Sequence, residues 1–382
     1  MRAVHVHARQ LPSATTQPAA NRNGERKVVP TTNQTGPTAQ LHVGDARDVL
    51  ATMPDESADC IVTSPPYWGK RDYGVAGQYG HEPGPAAYVE TLRAVFREAR
   101  RVLADRGTCW LNLGDSYSAG GGAATGLHAY LGNSLTGHRA PGMATKNLLG
   151  LPWRVALALQ DDGWILRNAI VWHKPNAMPE SVRDRMNCRH ELIFLLVKQP
   201  SYWFDLDPIR IPHAAPRPET SGGQAAAGGT GDRRPPRAPV GGRRPGGTSR
   251  PPKYGPHTRQ VVAARRYGND RRHAAHPLGR NPGDVWSIPT RPYRGPHFAA
   301  FPIDIPLRCI AAGCPPGGMV LDPFCGTGTT GLAAMALGRR FTGIDLNPAM
   351  TAAADDRHAG ARQRHAESGG RHAAAASYRQ AT

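Results

Sequence analysis

The segment Thr63-Ser64-Pro65-Pro66-Tyr67 combines residue types that suit the binding of an amine. Its second proline has no backbone N–H to donate, and its first moves the serine away from helical geometry, so the turn is stiff. It presents carbonyl oxygens, a hydroxyl and a ring to the space beyond the apolar run Cys60-Ile61-Val62. Acceptors beside an aromatic ring suit a flat group that carries N–H donors, such as a nucleobase with an exocyclic amine.

A second candidate site is the glycine-rich segment 322–330, which follows the apolar run 319–321. Gly326 and Gly328 let the backbone approach a ligand closely, and the helix predicted after them offers N–H groups and a positive dipole end. Asp345 ends the next predicted strand, 17 residues after Gly328, where dinucleotide-binding folds place an acid on the ribose hydroxyls. A helix N-cap is the alternative role for Asp345.

The positive charge of the chain favours a polyanionic partner. Among 382 residues there are 47 Lys and Arg against 29 Asp and Glu, a formal net charge of +18. Such a balance most often accompanies nucleic-acid binding, with an arginine-favouring genome as the alternative cause. From Arg210 to Arg280 there are 15 basic and 3 acidic residues, among many Pro and Gly. That segment has too few apolar residues to fold well alone.

The six cysteines are scattered, without the spacing of a zinc site, so we expect no metal and a reducing compartment. No apolar run approaches the ~18 residues of a membrane span. The N-terminus lacks the apolar segment of a secretory signal. Together these features predict a cytoplasmic protein.

The elements that must position the two turns alternate between strands and helices. Helical spacing of apolar residues predicts a helix over 86–103. Further helices are predicted over 46–56, over 152–161 with Pro152 near its first turn, and over 331–337 after the glycine turn. We predict seven strands, over 41–43, 59–63, 108–113, 165–172, 191–197, 319–321 and 341–344. This alternation predicts an α/β fold with a mostly parallel sheet covered on both faces. In such a sheet a ligand binds beyond the carboxyl ends of the strands, where both turns are expected.

Read together, the two turns resemble the motifs of amino-group DNA methyltransferases. Thr63-Ser64-Pro65-Pro66-Tyr67 looks like the catalytic motif of that family, and Asp322-Pro323-Phe324-Cys325-Gly326-Thr327-Gly328-Thr329-Thr330 looks like its S-adenosylmethionine motif. The order, with the catalytic motif first, resembles the circularly permuted beta group. The resemblance implies an α/β, Rossmann-like S-adenosylmethionine-dependent methyltransferase sheet of seven strands. It also implies transfer of a methyl group to an exocyclic amine of a base flipped out of double-stranded DNA.

The resemblance also assigns site residues. Ser64, Pro65, Pro66 and Tyr67 are implied to be catalytic. The implied cofactor-binding residues are Asp45, Phe298, Asp322, Phe324, Gly326, Gly328, Thr329 and Asp345. Among them, Phe298 belongs to a segment that departs from the Lys-Pro ending common in relatives. The segment Trp172-His173-Lys174-Pro175-Asn176 is similar to the lining of the flipped-base pocket.

Five segments follow from composition and resemblance. We predict a disordered tail over 1–38, a catalytic half over 39–209 and a basic insert over 210–283. A cofactor-binding half over 284–360 and a flexible tail over 361–382 complete the chain. The insert lies where the family has its target-recognition region, with a solvated, non-specifically attracting loop as the alternative.

In this family a serine before Pro-Pro-Tyr goes mostly with cytosine and an aspartate with adenine, so Ser64 favours the N4 of cytosine. The alternatives are an N6-adenine methyltransferase with the same machinery and, less favoured, a non-catalytic DNA-binding relative. The intact glycine turn, Asp345 and Ser64 oppose the last of these. The implied partners are DNA and a cognate restriction endonuclease.

Overall fold

The computed structural model describes residues 38–119, 139–213, 276–291 and 301–367. Its strands are β1 (Ala39–Val43), β2 (Ala58–Thr63), β3 (Leu103–Leu113), β4 (Ile165–His173), β5 (His190–Val197), β6 (Val285–Ser287), β7 (Met319–Asp322) and β8 (Arg340–Asp345). Its helices are α1 (Ala46–Thr52), α2 (Pro85–Val102), α3 (Leu151–Asp161), α4 (Asp304–Gly313), α5 (Thr329–Ala336) and α6 (Pro348–Glu367), with a 3-10 turn at Asp207–Ile209.

The strands form one mixed, mostly parallel sheet in the order β1-β8-β7-β2-β3-β5-β4-β6. Only β5 runs against its neighbours β3 and β4. All seven predicted strands are present, so the predicted α/β fold is confirmed, but the predicted strand number is wrong by one. The additional strand, β6, pairs with β4 at the sheet edge. Its three residues are too few to show a periodicity, and pairing with β4 is what makes them a strand.

Helices cover both faces of the sheet. Successive side chains of a strand point to opposite faces, so each strand contributes to two cores. Along β2, Ile61 packs with the core of α1, α2 and α3, whereas Cys60 and Val62 pack with the core of α4 and α5. The predicted apolar stripe of α2 is buried as expected, at Tyr88, Leu92, Val95, Phe96 and Ala99. The site therefore sits on a rigid, two-sided core.

Helices α4 and α6 were not predicted. Helix α6 continues to Glu367, so helix extends past residue 360, where the predicted flexible tail begins. Its sequence is rich in Ala, Arg and His and carries no apolar stripe. Ala354 and His358 are nevertheless fully buried against the rest of the fold, so tertiary contact holds this helix in place.

The two ends of the predicted insert lie side by side. Ile211 and Arg280 exchange two backbone hydrogen bonds of 2.9 Å, just before the chain enters β6. Residues 214–275 of the insert lie outside the described residues, as do 1–37 and 368–382 of the predicted tails. Among the described helices, none is long and apolar enough to cross a membrane.

Candidate active site

The two turns that the sequence singled out meet at one edge of the sheet. Their strands β2 and β7 are parallel neighbours, with Cys60 opposite Val320 and Ile61 opposite Leu321. Both turns line one cavity of about 580 Å³, a size typical of sites for small organic ligands. Nine of the predicted site residues line it: Ser64, Pro65, Pro66, Tyr67, Asp322, Phe324, Gly326, Thr329 and Asp345.

Three predicted cofactor residues are placed differently. Phe298 lies outside the described residues. Gly328 belongs to the turn but does not line the cavity. Asp45 caps α1 by accepting hydrogen bonds from the N–H groups of Arg47 and Asp48, and it reaches the site only through the Tyr79 hydroxyl, 2.7 Å away. Tyr79 itself lines the cavity and meets Phe324 edge-to-face at 5.1 Å.

Asp322 ties the two turns together. Its carboxylate accepts hydrogen bonds of 2.6 Å from the Thr63 hydroxyl on β2 and from the Thr330 hydroxyl on α5. The side chain is almost fully buried, at 2% exposure, and this burial raises the pKa of Asp322 to about 6. This buried acid thus links the two turns by side-chain hydrogen bonds, in addition to the pairing of β2 with β7.

Asp345 binds the backbone of the glycine turn, residues 322–330. Its two carboxylate oxygens accept backbone hydrogen bonds from Gly326 at 2.8 Å and from Asn347 at 2.9 Å. Burial raises the pKa of Asp345 above its usual value. The N-cap alternative does not describe this residue, since Asn347 accepts from the first-turn N–H of Ala349 in α6. Asp345 lines the cavity, and its oxygens retain lone pairs for a ligand hydroxyl.

Two residues of helix α6, Arg357 and His358, contact the glycine turn. Arg357 donates to the Thr327 carbonyl at 2.5 Å and to its hydroxyl at 2.9 Å. The fully buried ring of His358 lies 2.8 Å from the Gly328 carbonyl through Nε2, which must be the protonated nitrogen for that contact to be a hydrogen bond. Burial lowers the pKa of His358, which favours this neutral form.

The turn of residues 64–67, which we call the catalytic turn for its proposed role, is held by side chains from distant parts of the chain. The Tyr67 hydroxyl lies 3.1 Å from Ser64 Oγ and donates to Glu191 Oε2 at 2.8 Å. The Pro66 carbonyl accepts from the Tyr88 hydroxyl at 2.9 Å. Burial first, and the Glu191 charge second, raise the pKa of Tyr67 well above its usual value, so its phenol keeps its proton.

Glu191 lines the cavity and was not singled out from the sequence. Its carboxylate also accepts from Asn112 Nδ2 at 3.1 Å and from the Lys174 ammonium. Lys174 in turn lies 4.4 Å from the centre of the Trp172 ring. The available signal was a single acid at the head of the apolar run Glu191–Val197, although nothing in that run indicates its partner.

Several basic residues line the cavity. Lys70, Arg71, Lys174 and Arg291 line it, and Arg183, Arg185 and Arg189 lie on the segment between β4 and β5. Positive groups around a cavity of this kind suit a phosphate backbone. Among the described residues there is no group of three or more His, Cys, Asp or Glu side chains that could hold a metal ion.

Comparison with known proteins decides which family has this arrangement. A family model described as DNA methylase matches residues 58–356. The chain is 38% identical over 323 residues to the type II methyltransferase M.SmaI of Serratia marcescens, covering 84% of this chain and 90% of that protein. The chain belongs to this DNA methylase family.

Further comparisons agree with the family. M.Cfr9I of Citrobacter freundii, also a type II methyltransferase, is 37% identical over 327 residues, which covers 81% of this chain and 84% of that protein. The solved structure of the cytosine-N4-specific PvuII DNA methyltransferase shares the fold. Its TM-score is 0.53 at 17% identity, over 85% of this chain and 88% of that one. This DNA methylase therefore has the methyltransferase fold and acts on DNA.

The cofactor of this DNA methylase is S-adenosylmethionine. The cavity residues fit such a group, which carries ribose hydroxyls, an adenine ring and charged amino-acid atoms. Asp345 offers acceptor oxygens at the cavity wall, and the Phe324 ring offers an apolar surface backed by Tyr79. The glycine turn brings backbone to the same wall.

Proposed function

We propose that this DNA methylase transfers a methyl group to the exocyclic N4 of cytosine at a specific sequence in double-stranded DNA. The observation that carries the proposal is Ser64, a neutral hydroxyl that lines the cavity immediately before the two prolines. Digestion of methylated DNA to nucleosides, followed by mass spectrometry, tests it. N4-methylcytosine is the expected product, and N6-methyladenine alone would overturn the choice of base.

Ser64 and Pro65 are proposed to grip the target amine. An exocyclic amine is a poor nucleophile because its lone pair is delocalised into the ring. Acceptance of its N–H bonds by Ser64 Oγ and the Pro65 carbonyl favours a pyramidal nitrogen with a localised lone pair. No strong base is required before attack, because the nitrogen becomes acidic as the new C–N bond forms and the methyl–sulfur bond breaks. The extra proton then passes to water. Pro66 keeps the turn stiff, and its carbonyl is already engaged by Tyr88.

Tyr67 is proposed to stack on the extruded base, since its ring lines the cavity beside Ser64. Gly114 lies directly against this ring, and a Cβ there would come within 2.6 Å of Tyr67 Cε2. The close approach of backbone keeps the ring in place. Extrusion of the base from the duplex costs a few kcal/mol, which contacts in the cavity must offset.

The cofactor half of the site is proposed to bind S-adenosylmethionine through the predicted residues that line the cavity. Asp345 would accept from the ribose hydroxyls and Phe324 would contact the adenine, while Asp322, Gly326 and Thr329 line the same cavity. Asp45 acts indirectly by orienting Tyr79. When bound, the cofactor supplies a methyl group that its sulfonium already activates. The role of the protein is then to position nitrogen and methyl group in line.

Adenine N6 is the second candidate target. The DNA adenine methyltransferase YhdJ of Escherichia coli is 43% identical to this chain, but over only 70 residues, 17% of the chain. So short a match leaves most of the cavity lining untested. Ser64 favours cytosine, and the nucleoside analysis described above separates the two products.

We further infer that the basic insert over 210–283 engages the DNA target, and that a restriction endonuclease recognises the same site. The first inference rests on the concentration of arginine and on the paired ends of the insert, which lie shortly before β6, the neighbour of β4. The second rests on the type II methyltransferases that resemble the chain. The circularly permuted order is supported by β2, which carries the catalytic turn and precedes β7 in the chain. Protection of methylated plasmid from a cognate endonuclease tests the pairing.

A further inference from the structure

The hydrogen bonds around Tyr67 have a direction that bears on how Ser64 meets the target amine. Tyr67 has one hydroxyl proton, and two oxygens lie within reach of it: Glu191 Oε2 at 2.8 Å and Ser64 Oγ at 3.1 Å. An ionised carboxylate can only accept hydrogen bonds. The Tyr67 proton therefore goes to Glu191, and the Ser64–Tyr67 contact is a hydrogen bond only if Ser64 donates to the tyrosine oxygen.

This direction determines whether Ser64 offers lone pairs or its proton to the cavity. A serine hydroxyl has one proton and two lone pairs. If the proton points to Tyr67, the lone pairs remain for other partners, and Ser64 lines the cavity in which the target base is proposed to lie. Without this direction the hydroxyl could turn its proton toward the amine, where two donors would face each other.

Glu191 is itself prevented from acting as a donor. The Lys174 ammonium and the Asn112 amide nitrogen both donate to its carboxylate, and Lys174 can only donate. The Asn112 orientation is settled by its two neighbours, since Nδ2 lies 3.1 Å from Glu191 Oε2 and 3.2 Å from the Leu192 carbonyl. Three donors thus converge on a side chain that is only 16% exposed, and they hold it as an acceptor.

We propose that Glu191 is a positioning residue that sets the direction of the Ser64–Tyr67–Glu191 hydrogen-bond chain, so that Ser64 presents lone pairs to the target amine. The inference rests on the proposed function, in which Ser64 accepts from that amine. Glu191 acts through Tyr67 and does not touch the base. No proton needs to leave along the chain for this role.

Glu191→Gln reverses the direction with little change in shape. The new side chain has one oxygen and one nitrogen, and the Lys174 ammonium attracts the oxygen. The nitrogen then takes the place of Oε2, where it faces both Tyr67 and Asn112. Asn112 must turn its amide so that its oxygen accepts, and Tyr67, which now accepts from the glutamine, gives its proton to Ser64. We expect the single-turnover rate of methyl transfer to fall about 10- to 100-fold, comparable to the loss of one transition-state hydrogen bond. The rate is measured with tritiated S-adenosylmethionine on unmethylated plasmid DNA.

Tyr67→Phe separates this role from a merely structural one. Without the hydroxyl, Ser64 is free to rotate rather than held in the wrong direction, so the rate falls less, about 3- to 10-fold. The double variant Tyr67→Phe/Glu191→Gln then matches Tyr67→Phe alone. Multiplication of the two single losses in the double variant would overturn the proposal, because it would mean that Glu191 acts independently of Tyr67.

Controls keep the outcomes apart. Glu98→Gln removes the same charge from an ion pair with Arg101 in α2, away from the cavity, and leaves the rate unchanged. Cofactor affinity by calorimetry stays within about twofold in every variant, since these residues lie on the catalytic side of the cavity.

If Glu191→Gln does not fold, an unchanged rate in Tyr67→Phe alone overturns the proposal. If Ser64→Ala retains full turnover, the proposed function fails; if Ser64→Ala is inactive and Glu191→Gln is fully active, only the role of Glu191 fails.

Discussion

The turn after β2 and the turn after β7 end neighbouring strands, yet they are held by different parts of the chain. Side chains hold the catalytic turn: Tyr67 is anchored to Glu191, 124 positions away, and the Pro66 carbonyl is anchored to Tyr88. The glycine turn is held mainly at its backbone, where Gly326 N–H donates to Asp345 and the Gly328 carbonyl lies against His358. We therefore expect loss of a side-chain group to act most strongly in the first turn, and loss of backbone space to act most strongly in the second.

The largest expected effect follows from removal of the Ser64 hydroxyl in the catalytic turn. Ser64→Ala should lower the rate of methyl transfer by about 10³-fold, because the target amine loses an acceptor. Cofactor binding, measured by calorimetry, should persist, because the glycine turn does not depend on Ser64. Turnover at the rate of the parent protein would contradict the assignment of Ser64, and loss of cofactor binding would contradict the separation of the two turns.

The next largest effect concerns Asp322, where the two turns are joined. Because burial raises its pKa to about 6, ionisation of this acid costs the folded state more than the unfolded chain. As pH rises from about 4 to about 6, the free energy of unfolding of the parent protein should fall relative to Asp322→Asn, by up to about 3 kcal/mol. Urea unfolding across this pH range measures the difference. If the free energy of unfolding changed with pH in the same way in both proteins, Asp322 would titrate alike in the folded and unfolded states.

A smaller effect is expected at the entrance of the glycine turn. Asp345→Ala removes the acceptor of the Gly326 N–H and the acceptor proposed for the ribose, so cofactor affinity should fall about 10- to 100-fold. Isothermal calorimetry measures the change. Asp355→Ala, which removes an acid paired with Arg362 on the surface of α6, is the matched control and should bind normally. Equal affinities in all three proteins would remove Asp345 from the site.

The smallest effect tests whether space governs the glycine turn. Gly328 and Gly338 have similar positive φ angles, 73° and 69°, so alanine carries similar backbone strain at both. A Cβ at Gly328 would lie 2.6 Å from His358 Nε2, whereas a Cβ at Gly338 would have no atom within 4 Å. Gly328→Ala should therefore lower the free energy of unfolding by about 1–3 kcal/mol more than Gly338→Ala. Thermal unfolding of both variants gives the comparison. Equal losses in the free energy of unfolding would show that α6 moves aside without a cost in stability.

Much of this fold and site was predictable because the relevant signals are local. Apolar runs ending at prolines or glycines marked β2 and β7, and the stripe of α2 marked a helix, since these patterns depend only on neighbours in the chain. The parallel order of the strands then required both turns to lie at one edge of the sheet. Ser64, Tyr67 and Asp345 were found in this way, and all three line the cavity.

The remaining features depend on contacts between distant segments. Strand β6 exists through pairing with β4, and α6 through burial of Ala354 and His358, so neither has a local pattern that predicts it. Glu191 and Asn112 come from β5 and β3, and only the antiparallel pairing of those strands brings them to Tyr67. The sequence by itself predicted which two turns meet in one cavity. The tertiary structure decided which distant side chains orient them, because hydrogen-bond direction depends on partners that local sequence does not encode.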